Sequence, residues 1–453
     1  MIRRLLIILF LAVTCQAEKL NTYLPAGRSN MDSNTSISDL SPGLLEDLAE
    51  LAGGWKGEVI AKVDQSYVGW DVEIGDADND GKNEILTTGC PDSRLYLFKK
   101  VAGTWQTHLL AEDLAHRSPK PGMGLVVRVV DLNLDGKNEL ILGTGQEASV
   151  PAEPAFFYIL QTDGTKLTKQ IFSRATLNNS SYTHNLAFFD LDADGVMETI
   201  SAYCGSGEIV RYDTDKSLSQ IQAKKIYNCS GSGEDSLIAD VDNDGKVEYL
   251  TCNSYRQDQA KVEIFEFDEK SELVLPPRIV IDGTPEEKCF DCAVEAGDVD
   301  NDGNIELIVG WKTKPWQSGI NNGTIVAYRV DNNQAILVYT LARDDKDLDL
   351  GYFEKMMCIA DADNDGKNEL VVSTRGEPEW KGAGLGHVIM FRIEFDGNIQ
   401  KTLLVNFLQG KADACWPAVG DADNDGKNEI VIATGLGDRT RAGISAVVIV
   451  EKE

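Results

Sequence analysis

Apolar residues fall in short runs through most of the chain, and Gly, Asp and Asn separate one run from the next. The stretch from Trp70 shows the unit: WDVEIGD (70–76), NEILTTG (83–89), RLYLFKKV (94–101) and TWQTHLLAED (104–113). Each reads as a strand, and the turn residues between them predict antiparallel pairing. Little of this region carries the 3.6-residue period of a long helix.

The second strand of the unit follows an acidic nine-residue loop, and that loop recurs seven times. The copies are DADNDGKNE at 76–84, DLNLDGKNE at 131–139, DLDADGVME at 190–198, DVDNDGKVE at 240–248, DVDNDGNIE at 298–306, and DADNDGKNE at both 361–369 and 421–429. Neighbouring copies lie 50 to 63 residues apart. That is too long for a nonapeptide or leucine-rich solenoid and right for four strands with their turns. Seven such units predict an all-β fold, a seven-bladed β-propeller of four-stranded blades. The seventh unit supplies CWPAVGD, EIVIATG and ISAVVIV and then the chain reaches Glu453 without a fourth strand. WKGEVIAKV at 55–63 precedes the first unit and is strand-like. It is therefore expected to complete blade seven and close the ring, so that no sheet edge stays open.

The loop chemistry points to a cation. Carboxylates at positions 1, 3 and 5 of a tight turn face one spot. Gly at position 6 permits the bend, position 7 offers its carbonyl, and position 9 adds a Glu. An all-oxygen cage with irregular geometry suits Ca²⁺ rather than Zn²⁺. An EF-hand would need a Glu at position 12, where the first copy has Thr87, and helices on both sides. The loops hold 27 of the 73 acidic residues of a chain whose formal net charge is −30. That many like charges held close together are costly without a counter-ion. Seven ions are the expected maximum, and Asn133 makes the second site the weakest.

These loops resemble those of the FG-GAP/VCBS repeat family, which includes the integrin α-subunit propeller and several secreted propeller lectins. The likeness covers residues 55–453. The FG and GAP signatures of integrins are not evident, which favours the looser VCBS-type branch. The resemblance implies Ca²⁺ between strands one and two of each blade. Its side-chain ligands would be Asp76, Asp78, Asp80 and Glu84 in the first loop and Asp131, Asn133, Asp135 and Glu139 in the second. The third and fourth loops would use Asp190, Asp192, Asp194 and Glu198, then Asp240, Asp242, Asp244 and Glu248. In the fifth they would be Asp298, Asp300, Asp302 and Glu306, and in the sixth Asp361, Asp363, Asp365 and Glu369. The seventh would use Asp421, Asp423, Asp425 and Glu429.

MIRRLLIILFLAVTCQA (1–17) reads as a secretory signal peptide, so the mature chain is expected to be secreted, not inserted in a membrane, and monomeric. Eight cysteines would then remain, and pairs Cys204–Cys229 and Cys252–Cys289 are the expected disulfides. Sequons at Asn34, Asn178, Asn179, Asn228 and Asn322 are potential glycosylation sites. Residues 18–40 read as a linker. Ser41 and Pro42 open a short helix whose leucines, including Leu48 and Leu51, are expected to pack on the propeller.

The face opposite the loops is expected to carry the ligand. Its connections are rich in aromatic and basic residues, and the longest hold Trp311, Trp316, Arg375 and Trp380. Flat aromatic faces flanked by polar groups suit a glycan, with an extracellular protein as the other candidate partner. An enzyme is the alternative, of the polysaccharide lyase or dehydratase type. Counting six residues back from each first loop Asp puts His184, Glu234 and Lys355 near the mouth, as base, acid and charge stabiliser. No nucleophile elbow, zinc motif or phosphate loop is present. The strong negative charge argues against nucleic acid.

Overall fold

Every second strand begins on the loop Glu: Glu84–Gly89, Glu139–Gly145, Glu198–Cys204, Glu248–Ser254, Glu306–Thr313, Glu369–Thr374 and Glu429–Gly435. In four of them every residue is buried. A strand in the middle of a blade has a neighbouring blade on each face, so it reads as a continuous apolar run. The outermost strands meet solvent on one side and are mostly exposed or half-buried instead, as in Gln334–Arg343 and Ile221–Asn228.

The structure, a computed structural model, describes Leu48 and residues 51–453 except 64–67, 90–92, 113, 115–122, 146–154, 175–181, 184, 230, 255–259, 284–288, 314–322, 332, 344–356, 375–385, 395, 408–412, 415 and 436–444. Seven four-stranded antiparallel blades form a ring. Blade one is typical: Val68–Gly75, Glu84–Gly89, Leu95–Val101 and Thr104–Ala111 pair in that order. The ring closes as the sequence predicts. Trp55–Val63 pairs antiparallel with Ser445–Lys452, from Trp55 opposite Lys452 to Val63 opposite Ser445, with a bulge between Val59 and Ala61.

Two inner strands depart from the regular plan. In blade three the strand is split into Tyr182–Thr183 and Ala187–Phe189, and in blade seven into Asp413–Ala414 and Ala418–Gly420. Tyr182 pairs with both Cys204 and Gly145, so blades two and three share one continuous sheet.

Among the described residues the core falls into seven apolar clusters, one at each seam between blades. Val72, Ile85 and Phe98 of blade one meet Val431 and Val447 of blade seven, for example. Each buried aliphatic side chain of this kind stabilises by about 1.5–3 kcal/mol. Position 2 of the acidic loop belongs to these clusters. Ala77, Leu132, Val241, Val299, Ala362 and Ala422 are all buried at seams, which explains an apolar residue between two aspartates. Leu48 is helical and packs at the seam of blades six and seven with Trp55, and Leu51 packs beside it. The expected signal peptide and linker, and sequons Asn34, Asn178, Asn179 and Asn322, lie outside the described residues.

The two expected disulfides are corrected. Cys204 and Cys229 stand as thiols. Cys229 sits in the apolar seam of blades three and four with Ile200 and Phe265, and burial pushes its thiol well above the ordinary range. Cys252, of the other expected pair, is also a thiol, and its Sγ donates to the carbonyl oxygen of Cys292 at 2.6 Å.

Candidate metal centre

The loops sit on one face of the disc, and their geometry repeats from blade to blade. Position 4 takes a left-handed conformation (φ 61° at Asn79, 64° at Asn424) and the Gly at position 6 does likewise (φ 85° at Gly81). The turn this makes aims backbone N–H groups at the carboxylates. Asp76 accepts from Asp80 N at 2.9 Å and Gly81 N at 3.0 Å, and Asp80 accepts from Lys82 N at 3.0 Å. The other six loops repeat the position-1 pattern, as in Asp421 with Asp425 N and Gly426 N. The Glu at position 9 is buried in all seven. One of its oxygens accepts from the position-2 N–H, as Glu429 does from Ala422 at 2.8 Å.

Carboxylate oxygens therefore converge. Ligand atoms lie within 4.8 Å of one another in Asp76, Asp78 and Glu84; in Asp190, Asp192 and Asp194; in Asp240, Asp242 and Glu248; in Asp298, Asp300 and Asp302; and in Asp361, Asp363 and Glu369. Burial, with the charge of the position-3 Asp adding to it, pushes Glu84, Glu248 and Glu429 up to about 7. The Oε1 of Glu429, in a side chain 1 % exposed, has no hydrogen-bond partner. An all-oxygen donor set with orphaned buried oxygen fits a hard cation. Asn133 differs from the aspartates: its amide donates to Asp135 at 3.1 Å and to the Lys216 carbonyl at 2.9 Å.

Positions 4 and 8, which the metal reading passes over, join the blades. Asn138 N donates to Asn79 Oδ1 at 2.6 Å, Asn138 Nδ2 to the Asp76 carbonyl at 2.9 Å, and Asn79 Nδ2 to the Asn138 carbonyl at 3.1 Å. Asn301 and Asn368, Asn364 and Asn428, and Asn424 and Asn83 repeat the set. The last pair spans the point where the ring closes. Recurrent Asn at loop positions 4 and 8 was the available signal.

A second polar cluster lies on the axis. Asp71 accepts from Val127 N at 2.9 Å and pairs with Arg128, whose Nη2 donates to Asn185 Oδ1 at 3.2 Å. Asn185 Nδ2 donates to Asp235 Oδ1 at 2.8 Å, and Asp235 Oδ2 accepts from Val294 N at 3.1 Å. The chain links the inner strands of blades one to five. Beside it is a cavity of about 220 Å³ lined by Asp71, Glu73, Arg128, Glu295, Cys358 and Trp416, among others. Trp416, from blade seven, belongs to the apolar cluster of blades two and three, so its ring reaches across the axis.

Of the residues expected on the ligand face, Trp311 is 4 % exposed and packs in the seam of blades four and five. Its strand, Glu306–Thr313, continues past the point where the sequence suggests a loop. Trp316, Arg375 and Trp380 lie outside the described residues. So do His184 and Lys355, whereas Glu234 is described and buried; its neighbour Asp235 is the residue in the axial cluster.

No protein-family model matches the chain, and no curated protein matches it. Solved structures similar in fold include the Dos1 propeller, at 11% identity and a TM-score of 0.48, covering 90% of this chain and 97% of that one. A protein from Lactobacillus plantarum is similar at 13% identity and a TM-score of 0.47, covering 77% and 87%. An Agrocybe aegerita lectin described as recognising non-reducing terminal N-acetylglucosamine is similar at 11% identity and a TM-score of 0.46, covering 77% and 83%.

Proposed function

We propose that this protein is a secreted, calcium-stapled propeller that acts as a binding module for a glycan or an extracellular partner. The observation that carries the calcium part is the convergence, blade after blade, of buried and half-buried carboxylates held open by backbone N–H groups. Asp at positions 1, 3 and 5 and Glu at position 9 would hold the ion. When bound it supplies positive charge that offsets the repulsion among them. The ions lock the face on which the blades meet, and the connections on the opposite face are left for recognition. Trp316, Arg375 and Trp380 on the longest connections are the proposed contacts.

The test is a glycan array probed with the mature chain in calcium and again in chelator. Binding to a defined sugar that disappears in chelator is the expected result, and Trp316→Ala or Trp380→Ala should each weaken it at least about tenfold. A blank array from a folded, calcium-loaded sample would remove the glycan and leave an extracellular protein as the partner.

A further inference from the structure

The third strand of each blade places one residue across from the loop Glu, and that residue differs between blades. In blades one, five and six it is a cation: Lys99, Arg329 and Arg392. In each case its head group contacts the carboxylates at positions 3, 5 and 9 together. Lys99 Nζ lies 2.5 Å from Asp78, 2.7 Å from Asp80 and 3.2 Å from Glu84. Arg329 lies 2.9 Å from both Asp300 and Glu306 and also pairs with Asp302. Arg392 lies 2.7 Å from Asp363, 3.0 Å from Asp365 and 2.8 Å from Glu369.

The other four blades put Gln161, Asp213, Glu266 and Glu451 at this place. Among the described residues the Gln161 amide donates to Glu139 alone, at 2.9 Å. In loop three, no cation among the described residues forms an ion pair with Asp190, Asp192 or Asp194; Lys216 passes beside Gly195, and Arg211 lies 3.5 Å from Glu198 but is drawn to Asp213 at 2.6 Å. Arg278 reaches Asp242 in loop four at 2.7 Å, but Glu266 holds its other nitrogen at 2.8 Å, which is 4.0 Å from Glu248. In loop seven Lys100 touches Asp423 alone, and the buried Oε1 of Glu429 is left without a hydrogen-bond partner.

We propose that the loops form two calcium classes. In loops one, five and six the chain's own Lys99, Arg329 and Arg392 occupy the place of the ion, which enters only when that cation is displaced. Loops two, three, four and seven take it directly, loop two the weakest of these four because Asn133 replaces an aspartate at its position 3. The division rests on the calcium reading above, and it follows from charge: one tethered cation and one Ca²⁺ compete for the same three carboxylates. Displacing a cation held by three charge-assisted contacts should weaken the ion by at least about tenfold.

Equilibrium dialysis with radiocalcium on the full chain tests this. The expected isotherm has two steps, with about four ions in the first. Lys99→Gln, Arg329→Gln and Arg392→Gln should each move about one ion from the second step to the first, and the triple variant about three. Gln161→Arg should move about one the other way. The single variants keep the test intact if the triple variant does not fold. A single step in the wild type, or an unchanged first step in the folded Gln variants, would overturn the two classes. No bound calcium in any folded variant would instead overturn the calcium reading itself.

Discussion

Asn138 shows how much one loop side chain does without touching the metal position. Its amide and backbone make three hydrogen bonds to blade one, each worth about 0.5–1.5 kcal/mol net. Alanine removes only the bond from its side chain to the Asp76 carbonyl. Asn138→Ala should therefore lower stability by about 0.5–1.5 kcal/mol, read from the urea midpoint at saturating calcium. Met197, at the same loop position in blade three, has no such amide, so Met197→Ala should leave the loop contacts between blades two and three intact. An unchanged midpoint in Asn138→Ala would show that the Asn side-chain contact adds nothing. At this scale the sequence showed positions 1, 3, 5, 6 and 9 because each has a chemical reason to be acidic or Gly. It hid positions 4 and 8, since their partners lie more than fifty residues away. It also misplaced Trp311, because an aromatic at the end of a strand looks the same whether it continues the strand or leaves it.

At the seam of blades two and three, where the Asn pair is missing, a strand takes over. Position 4 is Leu134 in loop two, and there the inner strand of blade three is tied to Gly145 of blade two through Tyr182. The approach is close: a Cβ at Gly143 would stand 2.4 Å from Thr183 Cγ2 and 2.8 Å from Val126 Cγ1. Gly143→Ala should cost about 1–3 kcal/mol by overpacking that seam, measured by thermal or urea unfolding. No loss would mean that the two blades are held less tightly than their continuous sheet implies. The strand plan itself was legible, including the closing strand 55–63, because a repeat with one strand missing at its end names the segment that must supply it. The split inner strands were not. In blade seven Pro417 lies in the break and has no N–H for the ladder. In blade three Asn185 Oδ1 takes the Leu186 N–H at 2.8 Å, a local bond that competes with strand pairing. The axis was missed by one residue: Asp71, Asn185, Asp235 and Trp416 stand five places before the first loop Asp, not six. A shift of one changes which side chains face the centre.

Across the whole molecule, charge ties these elements together. A net charge of −30 with 27 carboxylates in the loops concentrates repulsion on one face, where the blades also share hydrogen bonds. Lys99, Arg329 and Arg392 relieve part of it from within. The rest must be relieved by bound cations or by screening. Each ion that binds only the folded ring adds RT ln(1 + [L]/Kd), about 2.7 kcal/mol at a hundred times Kd, so several sites together outweigh any single seam. Chelator should therefore lower the melting temperature by about 10 °C or more. Salt separates the two kinds of relief. In chelator, raising NaCl from 0.05 to about 0.5 M shortens the screening length to a few Å and should recover part of the lost stability. In saturating calcium each bound ion already offsets about half of its loop's negative charge, and the same salt should change the melting temperature less. A melting curve indifferent to chelator would remove calcium as the staple. A salt response equal in both conditions would instead place the repulsion outside the loops.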